Sequence, residues 1–386
     1  MIYYNSHHIS KSDIAAVTKT LKFGKISKGQ ILDKFEKNLK TFFNCRYCLV
    51  VSSGTAAQIV LAKSLNWKKN DNIILSPLTF VSGANSIALS GANPIFVDIK
   101  KNGYSLDPLL VKKKILELKK KKQKVKAIMC TDYAGLPSDW NEIKKIAKKF
   151  NIKLINDNCH SLGSTYFGKI DYAIKYADYI IQSFHAVKNI TTGEGGALLT
   201  NDKKIYERAK SFREHGFKNP KKNFAPWDYD IINGPGFNCR LSDINCALGN
   251  NQLIRVKKII NKKRIIAKIY DNFFKNFNFF KILKSSKDQY CSYHLYPLSI
   301  NFKKLKISQF KFYNKMKKTY KIQLQKHYIP SYRFSFFKKK YKVRISNFEN
   351  TENLYNTTFS LPIYQDLKKK QVNYICKSIL KALKVN

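Results

Sequence analysis

The stretch "QSFHAVKNITTGEGGALLT", residues 182–200, sets a lysine, Lys188, among small and hydroxylated neighbours and ends in a glycine cluster. Composition gives this lysine no distinction: subtracting eight arginines from 72 basic residues leaves 64 lysines in the chain. Its company does. "ADYIIQSF" (177–184) and "GGALLTN" (195–201) both read as short buried strands, so Lys188 falls in the connection between them, five residues after Ser183. An amine becomes nucleophilic near neutral pH only where burial or neighbouring positive charge strips its proton. Small neighbours permit that burial, and Gly193, Gly195 and Gly196 let the backbone approach closely.

Working outward, the same texture continues toward the N-terminus. Further strand patterns lie at 47–53, 71–77, 93–99, 125–132 and 152–158, separated by helix patterns such as 55–66, 106–122 and 138–150. The helix of "PSDWNEIKKIAKKF" carries acidic residues in its first turn and lysines in its last, as the helix dipole prefers. Seven strands alternating with helices predict an α/β fold with a mostly parallel sheet covered on both faces. After residue 250 the texture changes. A long basic helix over 241–275, aromatic-rich strands at 293–300 and 326–333, and a helix at 369–383 predict a smaller α+β unit. At 386 residues the chain exceeds what one core supports, and we expect a large domain over 1–250 and a small one over 251–386.

The net charge of +47 raises nucleic acid as a partner, but the lysines are spread along the chain and arginine is scarce. They accompany abundant Asn, Ile, Phe and Tyr, the mark of an AT-rich coding bias. The densest run, "KKKILELKKKKQKVK" (112–126), reads as the solvated face of a helix plus its exit loop. We expect no nucleic-acid partner, while the charge would still speed the approach of a polyanionic small substrate. No run approaches 18 apolar residues and the N-terminus lacks a signal-peptide pattern, so a cytoplasmic protein without a membrane partner is expected. The eight cysteines include one CxxC, Cys45 and Cys48, without a second pair to complete a zinc site; we expect reduced thiols and no metal.

In an open α/β sheet ligands bind beyond the carboxyl ends of the strands, and each notable cluster falls at such an end. "SSGTAAQ" (52–58) follows a strand and opens a helix, offering backbone N–H groups and the Thr55 hydroxyl to an anion, although ordinary helix caps look the same. Phe80, in "SPLTFVSGAN", could stack on a flat ring, and alone reads more readily as a core residue. "LINDNCHSLGS" (154–164) presents Asp157 and then His160 at a strand end, where the acid could hold a ring nitrogen protonated or simply cap a turn. With Ser183 and Lys188, the parts that pyridoxal 5'-phosphate requires follow one another in chain order.

"SFHAVKNITTGEGGALLTND" resembles the lysine motif of the DegT-type sugar aminotransferases, a branch of the fold-type I pyridoxal-phosphate enzymes. "GKISKGQILDKFEKNL", "SSGTAA", "LTFVSGANSI", "NDNCHSLGS", "FREHGF", "GFNCRLSDINCALGNNQL", "KHYIPSYR" and "SLPIYQDL" fall in the same order, so the resemblance covers essentially the whole chain. It implies that Lys188 forms the Schiff base, Asp157 pairs with the pyridinium nitrogen, and Phe80 stacks on the ring. Gly54, Thr55 and Ser183 would hold the phosphate, and His160 would lie near the ring hydroxyl and the substrate. Asn238 would reach the cofactor phosphate of a neighbouring subunit, implying a homodimer with shared sites.

"TDYAGLPSD", "SYHLYPL" and "KHYIP" resemble the branch that uses L-glutamate to aminate C4 of a UDP-linked 4-keto-6-deoxy-N-acetylhexosamine in pseudaminic acid biosynthesis. That resemblance implies substrate contacts from Tyr4, Gly24, Lys25, Ile26, Ser27, His185, His327 and Tyr328. ArnB-like and perosamine-type aminotransferases share most of these motifs. Two residues depart from the family pattern: Cys239 stands where an aromatic is usual, and "NDN" surrounds Asp157. A sugar 3-dehydratase would carry His at position 188. The reading from another class is a basic nucleic-acid-binding protein with an inactive cofactor fold.

Overall fold

The computed structural model describes residues 1–218 and 227–385. All seven strand patterns of the N-terminal part form strands of one sheet: β1 (Tyr47–Val51), β2 (Asn72–Leu75), β3 (Asn93–Phe96), β4 (Val125–Thr131), β5 (Lys153–Asp157), β6 (Tyr179–Ser183) and β7 (Gly196–Thr200). Their spatial order is β1-β7-β6-β5-β4-β2-β3. The run from β3 to β6 is parallel, and β7 is antiparallel to both β6 and β1.

Side chains alternate between two apolar layers, as a two-residue period requires. Val50, Ile74, Ile128, Leu154, Ile180 and Leu199 enter one layer, and Leu49, Ile73, Met129, Ile155, Ile181 and Leu198 the other. Both faces are therefore sealed from water, which explains why these strands read as unbroken apolar runs.

The lysine-dense segment behaves as its pattern suggests. The helix Pro108–Lys120 buries Ile115 and Leu118, exposes Leu116, and pairs Glu117 with Lys114 and Lys121.

Two expectations for the C-terminal part need correction. The long helix predicted over 241–275 is two helices, Asp243–Ile254 and Val256–Phe274, broken at Arg255. There the Arg255 N–H bonds the Gln252 carbonyl at 3.0 Å, and its guanidinium is drawn to the buried carboxylate of Asp13. The segment 326–333 is not a strand. Its polar groups are used elsewhere: the His327 carbonyl accepts from the Tyr133 hydroxyl and the Ser331 N–H donates to Pro77, while Pro330 has no N–H to give. The expected strand at 293–300 is shorter, Tyr296–Ile300 (β9), and lies between β8 (Phe280–Lys281) and β10 (Thr358–Leu361) in a small antiparallel sheet. Its core packs on the helices Val256–Phe274 and Lys369–Leu383, and Tyr133 and Ala134 from the loop after β4 enter the same cluster.

One buried acid ties the β4 loop to its surroundings. Asp132 accepts from the Ser138 N–H (2.7 Å), the Trp140 indole N–H (3.0 Å), Tyr172 (2.7 Å), Asn156 (3.2 Å) and Asn158 (3.3 Å). Burial pushes its pKa up to about 6 despite these donors. Both carboxylate oxygens face donors, so an amide at this position must turn its NH₂ toward one of them. Asp132→Asn cannot ionise, so its unfolding stability, read from denaturant titrations, should lack the change that the acid brings between about pH 4 and 6. Because the folded pKa lies above the unfolded value, the acid's contribution is complete below about pH 4 and is lost as pH rises through about 6. The unaltered protein should therefore lose stability relative to Asp132→Asn over that interval.

Candidate active site

The loops that follow β1, β2, β5 and β6 converge at the carboxyl edge of the sheet. Asp157 is the last residue of β5, paired with Thr131 on one side and Ile181 on the other. That register buries its carboxylate, which accepts from the Cys159 N–H at 3.3 Å and from Gln58 Nε2 at 3.5 Å. Ser183 closes β6, immediately against the start of the helix Gly54–Ser64. A Cβ built on Gly54 would stand 3.0 Å from Ser183 Cβ and 3.3 Å from the Gln182 carbonyl, so a side chain there would push the helix start away from the strand end by a few tenths of an ångström. The N-terminus of this helix, with Thr55 in its first turn, thus starts beside Ser183, an arrangement suited to a phosphate.

Lys188 lies in the β6–β7 connection, where its N–H bonds the His185 carbonyl at 2.9 Å. Desolvation pushes its pKa below the usual lysine value, opposed by Cys159 and Asp157, which favour the ammonium form. Among the described residues its amine makes no hydrogen bond, leaving it free to react. The N-terminal segment braces this loop from outside through Asn5 Nδ2, which donates to the Val187 carbonyl at 3.1 Å.

His160 follows Asp157 in a tight turn and is buried. Its Nδ1 accepts from the Ala134 N–H at 3.3 Å, which places the ring proton on Nε2, 2.9 Å from the Tyr328 hydroxyl. Burial and the charge of Lys188 hold His160 well below the ordinary histidine pKa, so it is neutral at physiological pH. Tyr328 also meets Phe80 edge-on, ring centroids 5.8 Å apart. Phe80 itself is 56% exposed and so is no core residue. His327 is held by Ser360 at 2.8 Å and packs on Tyr4 at 5.4 Å between centroids; burial lowers its pKa to about 3.

Most of the residues singled out in the sequence thus lie together at the carboxyl end of the sheet, tied by ring contacts, the His160–Tyr328 hydrogen bond and the Gly54–Ser183 approach: Tyr4, Gly54, Thr55, Phe80, Asp157, His160, Ser183, Lys188, His327 and Tyr328. His185 stands at its exposed rim, 3.6 Å from Glu194. Gly24, Lys25, Ile26, Ser27 and Asn238 are not among them. Gly24–Ser27 is exposed, and the Ser27 carbonyl accepts from the Asp243 N–H at 2.7 Å. Asn238 is exposed and bridges Glu214, the residue that also binds Lys28 at 2.6 Å.

A sequence model of the DegT/DnrJ/EryC1/StrS aminotransferase family matches residues 7–380. The chain belongs to this family. A UDP-4-amino-4,6-dideoxy-N-acetyl-beta-L-altrosamine transaminase of Campylobacter jejuni is 35% identical over 99% of this chain and 98% of its own. Among solved structures, Helicobacter pylori PseC, an aminotransferase involved in the biosynthesis of pseudoaminic acid, superposes with a TM-score of 0.90. The two are 30% identical, with 99% of each chain covered. A sugar aminotransferase of Streptococcus pneumoniae in its PMP-form is 25% identical, with a TM-score of 0.89 over 99% of this chain and 98% of that one.

The residues of this aminotransferase fit pyridoxal phosphate on three counts: the close approach at Gly54, the buried acid at a strand end, and the desolvated unpartnered amine. Among the described residues no helix is long and apolar enough to cross a membrane. Several neighbours of the site were not singled out in the sequence. Gln58 donates to Asp157 from the buried face of the helix Gly54–Ser64. His294, although it lies in the quoted "SYHLYPL", received no role there; it is buried with its ring 4.3 Å from that of His160. Lys263 is buried near Lys188. Helical spacing marks Gln58 and Lys263 as inward-facing, but a polar residue on an apolar stripe announces no particular partner.

Proposed function

We propose that the chain transfers the amino group of L-glutamate to C4 of a UDP-linked 4-keto-6-deoxy-N-acetylhexosamine, giving UDP-4-amino-4,6-dideoxy-N-acetyl-β-L-altrosamine for pseudaminic acid biosynthesis. The observation that carries this reading is the desolvated, unpartnered Lys188 amine beside the buried carboxylate of Asp157, walled by Tyr4, His327 and Tyr328. The named relatives supply the substrate class.

Pyridoxal phosphate bound here would supply an electron sink for the carbon that loses its proton. Gly54, Thr55 and Ser183 would hold its phosphate, Asp157 would keep its ring nitrogen protonated, and Phe80 would cover one ring face. Lys188 would hold the group covalently and, with its amine free, would move the proton at the amine-bearing carbon. Its lowered pKa suits that work, because a protonated amine can accept nothing. On the return half-reaction it delivers a proton to the sugar carbon. Neutral His160 orients Tyr328 without adding a charge that would compete with Lys188.

Asn238 and Gly24–Ser27, gathered around Glu214 and Asp243 on an exposed face, would serve the site of a second copy, and we propose a homodimer on that basis. The net charge of +47 would favour capture of the UDP diphosphate, and we place the enzyme's action in the cytoplasm as part of the same proposal.

Glutamate-dependent turnover should be measured on UDP-4-keto-6-deoxy sugars of the L-altro-precursor type and the D-xylo type. Amination of the first type, with 2-oxoglutarate formed in equal amount, is expected. Amination of only the D-xylo type would overturn the proposed sugar and leave the family assignment standing.

A further inference from the structure

A buried amide joins the N-terminal segment to the loop that carries Lys188. Gln252 is one of the buried positions of the helix Asp243–Ile254 and is 3% exposed. Its Oε1 accepts from the Thr191 N–H at 3.1 Å, and its Nε2 donates to the His8 carbonyl at 3.0 Å and to Asp13 Oδ2 at 3.4 Å. Turning the amide over would set its NH₂ against an N–H and its oxygen against two oxygens, so its partners fix one orientation.

The two parts that Gln252 joins are themselves held. In the N-terminal segment the Ile2 N–H donates to the Lys321 carbonyl at 2.8 Å, the Ile2 carbonyl accepts from the Gln323 N–H at 2.8 Å, and the Tyr4 carbonyl accepts from the Ile363 N–H at 3.1 Å. At its other end Ser10 caps the helix Lys11–Phe23. Between these anchors the segment presents Tyr4 to His327 and crosses the Lys188 loop, where Asn5 Nδ2 donates to the Val187 carbonyl at 3.1 Å. In the loop, Thr191 Oγ1 donates to the Phe184 carbonyl at 3.1 Å and accepts from the Gly193 N–H at 2.8 Å. Lys188 thus stands between two ties to one segment, Asn5 at the residue before it and Gln252 three residues after it.

These ties matter because little else fixes the lysine. Among the described residues its amine makes no hydrogen bond. A small cavity of about 20 Å³, room for a single water, adjoins it and is bounded also by His7, Gln252 and Lys263, whose own amine donates to Asn189 Oδ1 at 3.0 Å. With a void on one side and no partner for the amine, the path of the loop backbone sets where the side chain starts.

We propose that Asn5 and Gln252 are positioning residues for Lys188: they hold its loop against the docked N-terminal segment and so set where the reactive amine stands. The inference rests on Lys188 being the reactive amine, as set out above. The segment that walls the site with Tyr4 is then also the frame that aims the lysine.

The test uses full-length, cofactor-free protein carrying Gln252→Met or Asn5→Ala. Methionine fills the volume of glutamine but leaves the Thr191 N–H and the His8 carbonyl unpaired. Asn5→Ala cuts the outer tie without touching a helix core, which keeps the proposal testable if Gln252→Met does not fold. Hydrogen exchange over 184–193 is read from overlapping peptides, with peptides of β4 and β5 as reference. The Lys188 N–H bonds His185 and neither altered residue, so its exchange reports the loop rather than a lost bond. Each variant should speed that exchange by about 10-fold and slow the labelling of Lys188 by limiting pyridoxal phosphate and borohydride by about 10-fold, the reference peptides staying unchanged. An unchanged Lys188 amide in either variant, or faster exchange throughout the chain, would overturn the proposal. Lys188 labelled at one rate in all three proteins rejects only the role of Asn5 and Gln252, whereas a label on another lysine of the unaltered chain rejects that role together with the proposed function.

Discussion

Lys188→Ala is expected to reduce glutamate-dependent amination by at least about 10³-fold while leaving the fold intact. The loss follows from the absence of a substitute. Lys263 is tied to Asn189 on the other side of the small cavity, and His160 is committed to the Ala134 N–H and the Tyr328 hydroxyl. Neither can reach around to accept the proton that Lys188 moves. The stability prediction has the opposite character. The Lys188 amine makes no hydrogen bond among the described residues and the residue is half-buried, so its removal leaves no buried partner unpaired. The thermal midpoint should stay constant. A large fall in both activity and midpoint would mean that Lys188 is structural. Kinetics and calorimetry on the same preparation distinguish the two.

Asp157→Asn should cost about 10²–10⁴-fold in kcat with little change in the amount of cofactor attached. The amide keeps the shape of the carboxylate at the end of β5 but cannot hold a proton on a ring nitrogen. The neighbours set the structural cost: the Cys159 N–H bonds one carboxylate oxygen and Gln58 Nε2 the other, so the amide oxygen can keep the first and a turned Gln58 amide can offer its unpartnered Oε1 to the new NH₂. Asp157→Ala adds an unpaired Gln58 amide and should lower stability by about 1–3 kcal/mol. Separating the kcat loss common to both variants from the stability loss specific to alanine tests whether the carboxylate acts by charge. Activity of Asp157→Asn within a few-fold of the unaltered chain would show that it does not.

The large sheet was legible because its strands are buried on both faces. Leu49, Ile73, Ile155 and Ile181 alternate with equally apolar partners, and the loops between them carry the Gly, Pro, Asn and Asp residues that end strands. Position at a strand end then brought Asp157 and Ser183 to attention. The C-terminal part was less legible, because tertiary contacts decide it. Nothing local distinguishes Arg255 from its helical neighbours, yet the helix breaks there, and its guanidinium meets Asp13, 242 residues away. "KHYIPSYR" has the aromatic texture of a strand, yet Tyr133 and Pro77 take its backbone groups and aim His327 and Tyr328 at the site. Gln58, His294 and Lys263 sit behind the groups a motif can name. In a chain with 64 lysines, a buried one at position 263 leaves no trace in composition.

Covalent attachment at Lys188 is the claim on which the rest depends. Reduction of the purified chain with borohydride in the presence of pyridoxal phosphate, followed by mass mapping of every lysine peptide, measures it directly. A stoichiometric phosphopyridoxyl label on Lys188, with the other lysines essentially unmodified, is the expected result. Label scattered over the exposed lysines, with Lys188 spared, would contradict it.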